Sequence, residues 1–327
     1  MNGDKAYWAG ITKPMFMAEE EKWFWVEPNA PSILSIPNFY SDPDGNRVAG
    51  KILEDQTSAA LYWALRYKMD KTNVYAANRA SQHLTKWGIL NQEVRGKESK
   101  FAMLMEGNKF MDAYLLIDSF NWTHRESFLN WVENIYKLCA LEYMGKENNQ
   151  GAWSWLGFLR SERLAGRNIL CWIDGFSDHV KNAIDKNGIL YHEVKRTNAG
   201  MWYVNFALEP YCQVMFDYFT LHNRDLFYLL EKTLDWYFQY CLHPETWPYK
   251  LPTNPFLRWI TKLLHPCQDY VELPKPTDWP AHVLEQLVTR RFFEKTEWLN
   301  WIQRPVNAGG LNIFKYSTMT WALDLNI

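Results

Sequence analysis

The sequence has no metal-ligand cysteine pattern, no long apolar run and no excess of either charge. Its five cysteines, Cys139, Cys171, Cys212, Cys241 and Cys267, are odd in number, widely spaced and free of any CxxC pair, which excludes a zinc-ribbon or disulfide-framework reading and predicts free thiols. Lys and Arg number 35 against 37 Asp and Glu, a formal net charge of -2, so a basic nucleic-acid coat is ruled out. No segment approaches the roughly 18 consecutive apolar residues of a membrane span. The stretch MNGDKAYWAGITKPMFMAEEEKWFW is broken by charge before it offers the apolar centre of a leader. The expected setting is therefore cytoplasmic or virion-associated, or secreted if the chain is a mature form. Gly-rich phosphate loops, HExxH, GxSxG and DDxxD patterns are missing as well, leaving nucleotide, zinc-protease, serine-hydrolase and terpene-cyclase chemistry without support. No cofactor and no metal are expected.

What is abundant is aromatic surface. Trp, Tyr and Phe occur 18 times each and together make 17% of the chain. Such rings either fill the space between helices or present flat faces to sugars, and composition alone does not separate the two.

From about residue 56 the apolar residues recur at i, i+3, i+4 and i+7. This spacing predicts helices over 56–69, 73–87, 100–120, 126–143, 153–164, 168–185, 193–221, 224–242, 255–264 and 280–301. Gly88, Gly145, Gly188, the His243-Pro244 and His265-Pro266 steps and the Pro-rich 273–280 stretch stand where helices should stop. Short connections between helices of similar length imply antiparallel hairpins. With no residue-level repeat of an open solenoid, the expected class is all-α, an (α/α) toroid over 56–327. Residues 1–55, with Pro31, Pro37 and Asp42-Pro43-Asp44-Gly45, read as an extended N-terminal arm or lid.

Two segments carry polar residues that a plain helical core does not need. Asn148-Asn149-Gln150-Gly151 opens a helix; one Asn suffices as a cap, and the additional carboxamides beside a helix start are suited to holding a carboxylate. The second runs from Asn187-Gly188 through His192, Glu193, Lys195 and Arg196 to Trp202, Tyr203 and Phe206. On one continuous helix Arg196 and Tyr203 would stand two turns apart on a shared face.

In this order the residues resemble the alginate lyase family, helical-toroid polysaccharide lyases acting on uronic acid polymers. Asn148-Asn149-Gln150-Gly151 is similar to that family's Asn-Asn-His-Gly, and Asn187-Gly188, Glu193, Arg196, Tyr203 and Ala207-Leu208 to its later "DG…E…R…Y…AL" stretch. Weaker likenesses lie at 55–87, at Trp122 and Trp131, and at 223–227. Gln150 takes the place of the family's His.

The resemblance implies β-elimination. Removal of the C5 proton of a 4-linked uronate requires the adjacent carboxylate to be neutralised or strongly hydrogen-bonded, a task for Asn149 and Gln150. Tyr203 would act as base, its pKa lowered by Arg196, and then as acid toward O4, with His192 as a substitute base. Acting from one face, such a tyrosine suits mannuronan-like or glucuronan-like substrates over guluronan. Substrate contacts are expected from Asn148, Trp153, Trp202, Tyr40, Lys51 and Glu193, and further cations from Arg66, Arg79, Lys195 and Arg258. The partner is then an anionic polysaccharide, not nucleic acid or a membrane. Two alternatives stay open: an inverting glycoside hydrolase using two of Asp118, Asp174 and Glu193, and a non-catalytic carbohydrate-binding or virion protein.

Overall fold

The computed structural model describes residues 17, 20–242, 244–250 and 254–264. Their described parts form two compact units, one of residues 20–145 and 153–169, the other of 146–152 and 170–264.

In the first unit the helices are α1 (Glu20–Phe24), α2 (Pro43–Met69), α3 (Val74–Leu90), α4 (Lys97–Leu116), α5 (Arg125–Trp131) and α6 (Lys137–Leu141), with most of α7 (Asn149–Leu164). α5 runs into α6 through a π-helical Val132–Tyr136. Pro43 stands in the first turn of α2 and the Asp42 carboxylate accepts the Gly45 N–H at 2.9 Å, an arrangement that starts a helix. α2 thus begins at Pro43 rather than near 56. Its first turns are solvated, with Val48 and Ile52 exposed, so they lack the apolar stripe by which helices are recognised. α3 is capped in the same way, Asn73 accepting the Ala76 N–H at 3.0 Å.

The core between these helices is aromatic. Trp87 lies 5.3 Å from Phe110 and 6.0 Å from Trp131, and Phe128 stacks on Trp131 at 5.6 Å, in the tilted and offset arrangements that rings prefer. Gly88 makes this packing possible: a Cβ there would lie 2.7 Å from the Phe128 backbone.

Residues 43–55 of the expected arm are the first turns of α2 and 20–24 are α1, while the segment between them, 25–42, is fastened to the helices. β1 (Ile33–Ser35) pairs in parallel with β2 (Glu93–Arg95), Leu34 opposite Val94. Gln56, 6% exposed, accepts the Asn29 N–H at 3.0 Å and donates to the Glu27 carbonyl at 2.8 Å. Asn91 donates to the Pro31 carbonyl at 2.9 Å and Arg79 to the Val26 carbonyl at 2.8 Å.

The second unit holds the first residues of α7, then α8 (Ile173–Ala183), α9 (Tyr191–Val194), α10 (Gly200–His222), α11 (Glu231–Leu242) and α12 (Pro255–Leu264). The helix expected over 193–221 is broken. Thr197 has φ 54°, a left-handed conformation costly for a β-branched residue. Its carbonyl accepts the indole N–H of Trp247 at 2.9 Å, and Gly200 lies against the Glu193 carbonyl and the Trp247 ring. Tertiary contacts override the helical preference at this point. The helix expected over 280–301 lies outside the described residues, as does Cys267.

Among the described residues no helix is long and apolar enough to cross a membrane. Cys139 and Cys212 are buried free thiols and Cys171 is exposed. Burial pushes the Cys139 thiol up to about 12 and raises Cys212 well above the usual range.

Candidate active site

Asn148, Asn149, Gln150, Glu193, Arg196 and Tyr203 all belong to the second unit, and a buried carboxylate organises them. Glu193 is 1% exposed and Asn149 2%. Glu193 accepts the Asn149 backbone N–H through Oε1 at 2.7 Å and the Asn149 side-chain N–H through Oε2 at 2.8 Å. Both donors of the α7 start are thereby held by one side chain. Burial raises the Glu193 pKa, while the Asn149 donors and the Arg196 charge act against that rise. Glu193 was expected to meet substrate. At this burial it has no open face, and its place is behind Asn149.

Next to Asn149, the Gln150 backbone N–H donates to Asn148 Oδ1 at 3.1 Å. The Gln150 carboxamide is half-buried and, among the described residues, makes no hydrogen bond. Gly151 allows the segment to close on itself, since a Cβ would lie 1.7 Å from the Lys146 carbonyl oxygen and 2.8 Å from His179.

Arg196 is not on the helix that carries Tyr203, yet the two side chains meet. The break at Thr197 folds Arg196 back so that its guanidinium lies 4.0 Å from the centre of the Tyr203 ring, within cation–π range. Its Nε is 4.0 Å from Glu193 Oε2. One residue earlier, Trp202 is 43% exposed and stacks on Phe206 at 4.8 Å with 16° between planes. His192 stands on α9 with Nε2 3.6 Å from Glu147 Oε2, and both side chains are exposed.

Other expected binding residues belong to the first unit. Tyr40 is exposed, Lys51 pairs with Asp55 at 2.9 Å, and Trp153 is buried at 5% with no open face. Arg66 pairs with Glu20 and Arg79 holds the arm, Lys195 covers the Tyr191 ring at 3.8 Å, and the Arg258 side chain lies outside the description. Of the acids weighed for a hydrolase, Asp118 pairs with Arg125 and Glu193 is committed to Asn149, which leaves Asp174 without either as a partner.

Two residues of this site carry no local sequence signal. His179, from α8, packs on Gly151 and shares a 3.0 Å hydrogen bond between its Nε2 and the Tyr211 hydroxyl. Burial lowers the His179 pKa to about 4 and raises that of Tyr211, so both are neutral near pH 7. Either side chain reads in the sequence as an ordinary core position, and only tertiary placement marks them.

The family model for alginate lyase matches residues 5–247. Among solved structures, the crystal structure of an alginate lyase from Bacteroides ovatus superimposes with a TM-score of 0.66 at 13% sequence identity, covering 94% of this chain and 93% of that one. At that identity the likeness establishes the fold, all-α and of the (α/α) toroid class. No curated protein matches the sequence. The family match spans most of the chain, including the Asn148–Gly151 and Glu193–Tyr203 segments just described, and the chain belongs to the alginate lyase family and is a polysaccharide lyase.

Proposed function

We propose that the chain cleaves a 4-linked uronate polymer of the mannuronan or glucuronan kind by syn β-elimination. The observation that carries this reading is the Arg196 guanidinium 4.0 Å from the Tyr203 ring, a cation placed to favour a phenolate.

In the proposed step the Tyr203 phenolate oxygen takes the C5 proton. The electrons of that C–H bond form the C4–C5 double bond, the C4–O4 bond breaks, and the proton on Tyr203 passes to O4 of the leaving sugar. Tyr203 ends as it began. As C5 loses its proton, charge grows on the sugar carboxylate, and donors already in place lower that barrier. Gln150 is suited to this task because its carboxamide is uncommitted. Asn149, as buried as Glu193 and bonded to it twice, fixes the α7 start from which Gln150 extends. Trp202, with an exposed indole, provides an apolar face for a sugar ring. His192 is the reserve base for the opposite stereochemistry.

The test is absorbance of the unsaturated uronate product from mannuronan, glucuronan and guluronan. Mannuronan or glucuronan should give the faster rise, and Tyr203→Phe should lower it by about 10²- to 10⁴-fold, the range for loss of a general acid–base group. Full activity in Tyr203→Phe would remove the assignment of base and acid. A preference for guluronan would remove the stereochemical part.

A further inference from the structure

A polar cleft of about 270 Å³ lies wholly within the first unit. One wall is α3, which contributes Asn78, Gln82 and Lys86. The other is the Asn121-Trp122-Thr123-His124 segment between α4 and α5. Residues four apart on a helix share a face, and at 1.5 Å per residue Asn78 to Lys86 spans about 12 Å. That length suits a short oligosaccharide better than a single sugar.

Three observations point to a ligand. First, the side chains of Asn78, Gln82, Lys86, Asn121 and His124 make no hydrogen bond or ion pair with any described residue, although the surrounding surface is laced with pairs such as Arg125–Asp118. Second, no carboxylate lines the cleft in a chain with 37 Asp and Glu, and Lys86 contributes a positive charge. Third, Trp122 is a rigid floor. It is 9% exposed and its ring is held edgewise by Tyr114 at 6.3 Å, with Phe128 at 6.5 Å.

Carboxamides offer donors and acceptors together, the combination that vicinal hydroxyls satisfy, and an unpaired ammonium without neighbouring acids favours an anion. We infer that this cleft is a non-catalytic binding site for an anionic oligosaccharide, with Gln82, Asn78 and Asn121 meeting hydroxyls and Lys86 a carboxylate. The inference deepens the uronate reading above and rests on it for the choice of sugar. A second point of attachment raises the local concentration of polymer at the enzyme without any new chemistry.

Calorimetric titration of the Tyr203→Phe variant with a mannuronate trimer tests the site, the substitution slowing cleavage so that binding is read. Two trimers should bind per chain. Adding Lys86→Glu and Gln82→Ala, both at exposed positions, should leave one, with at least a tenfold loss at the other. Neutral mannotriose should bind the cleft at least tenfold more weakly than the uronate trimer. A single trimer bound in both variants, or no trimer bound at all, overturns the inference, and equal binding of mannotriose overturns its anionic part. If the wild-type chain cleaves uronate polymers while the cleft substitutions change nothing, the cleft assignment fails and the lyase reading stands. If it cleaves none and those substitutions still abolish trimer binding, the cleft stands and the lyase reading fails.

Discussion

Both units bury polar side chains, but they use them differently. In the first unit Gln56, Arg79 and Asn91 reach across to the backbone of residues 26–31, and the packing behind them is a nearly unbroken set of aromatic rings. In the second, Glu193 bonds to Asn149 and His179 to Tyr211, around a broken helix and the close approach at Gly151. Buried polarity that satisfies a passing strap of chain is structural, whereas on the proposed mechanism buried polarity that immobilises other side chains beside a half-open carboxamide and a tyrosine serves chemistry. The difference lies in what is being held.

The sharpest way to break that distinction is to remove the central acceptor of each unit. Glu193→Ala leaves two donors of Asn149 without a partner at a site that excludes water. We expect turnover to drop about 100-fold or more, with a stability loss on the order of 1 to 3 kcal/mol, read by product absorbance and by urea midpoint. Near-normal turnover would mean that Asn149 does not need its anchor.

Acid should act on both units through one histidine each. His179 titrates near 4 in the fold against 6.5 for an unperturbed ring, and His83, whose Nδ1 is 2.7 Å from Gln56 Oε1, near 3. Burial is the main cause in both, and Arg79 adds to it at His83. Between the folded and unfolded values the unfolded chain binds a proton that the fold refuses. The stability is therefore complete above about pH 6.5 and falls as pH drops toward 4 for His179 and toward 3 for His83. For His179 the whole of that fall is on the order of 3 kcal/mol. Urea midpoints measured from pH 7 to 4 should fall accordingly, and His179→Gln should flatten the slope without abolishing it. An unchanged slope in that variant would sink the assignment.

Gln56→Ala is the counterpart of the Glu193 substitution. It removes the hold on Glu27 and Asn29 and should cost about 1 to 3 kcal/mol while leaving kcat within about twofold of wild type, as expected for a change remote from bond-making. Loss of kcat there would dissolve the contrast between the units. The smallest effect is expected from Trp247→Phe, which deletes the N–H donated to the Thr197 carbonyl. About 1 kcal/mol should be lost, seen as a lowered Tm, with a modest fall in activity as Arg196 loosens from Tyr203.

The helical class and most helix positions were legible because amphipathic helices write their period into the chain. α2 was read short because its first turns are solvated. The break at Thr197 was not legible at all: nothing local marks it, and its cause, Trp247, lies far along the sequence. Arg196 and Tyr203 were paired by an argument from one continuous helix, and they meet by another route, the fold-back at Thr197. The bonding of Glu193 to Asn149 was not legible either: Glu193 reads as a substrate contact, and no periodicity links the two segments. His179 and Tyr211 went unseen for the same reason.

The parallel pairing of Ile33–Ser35 with Glu93–Arg95 also has a kinetic consequence. The chain between them is the whole α2–α3 hairpin, and the Ile36 N–H finds its acceptor, Ser99 Oγ, 63 residues further on. A strand cannot join a partner that has not yet been positioned, and contacts of such separation are entropically expensive until the intervening chain is ordered. The hairpin must therefore form before the strap can close over it, so Ile33–Ser35, although synthesised ahead of the hairpin, finds its place after it.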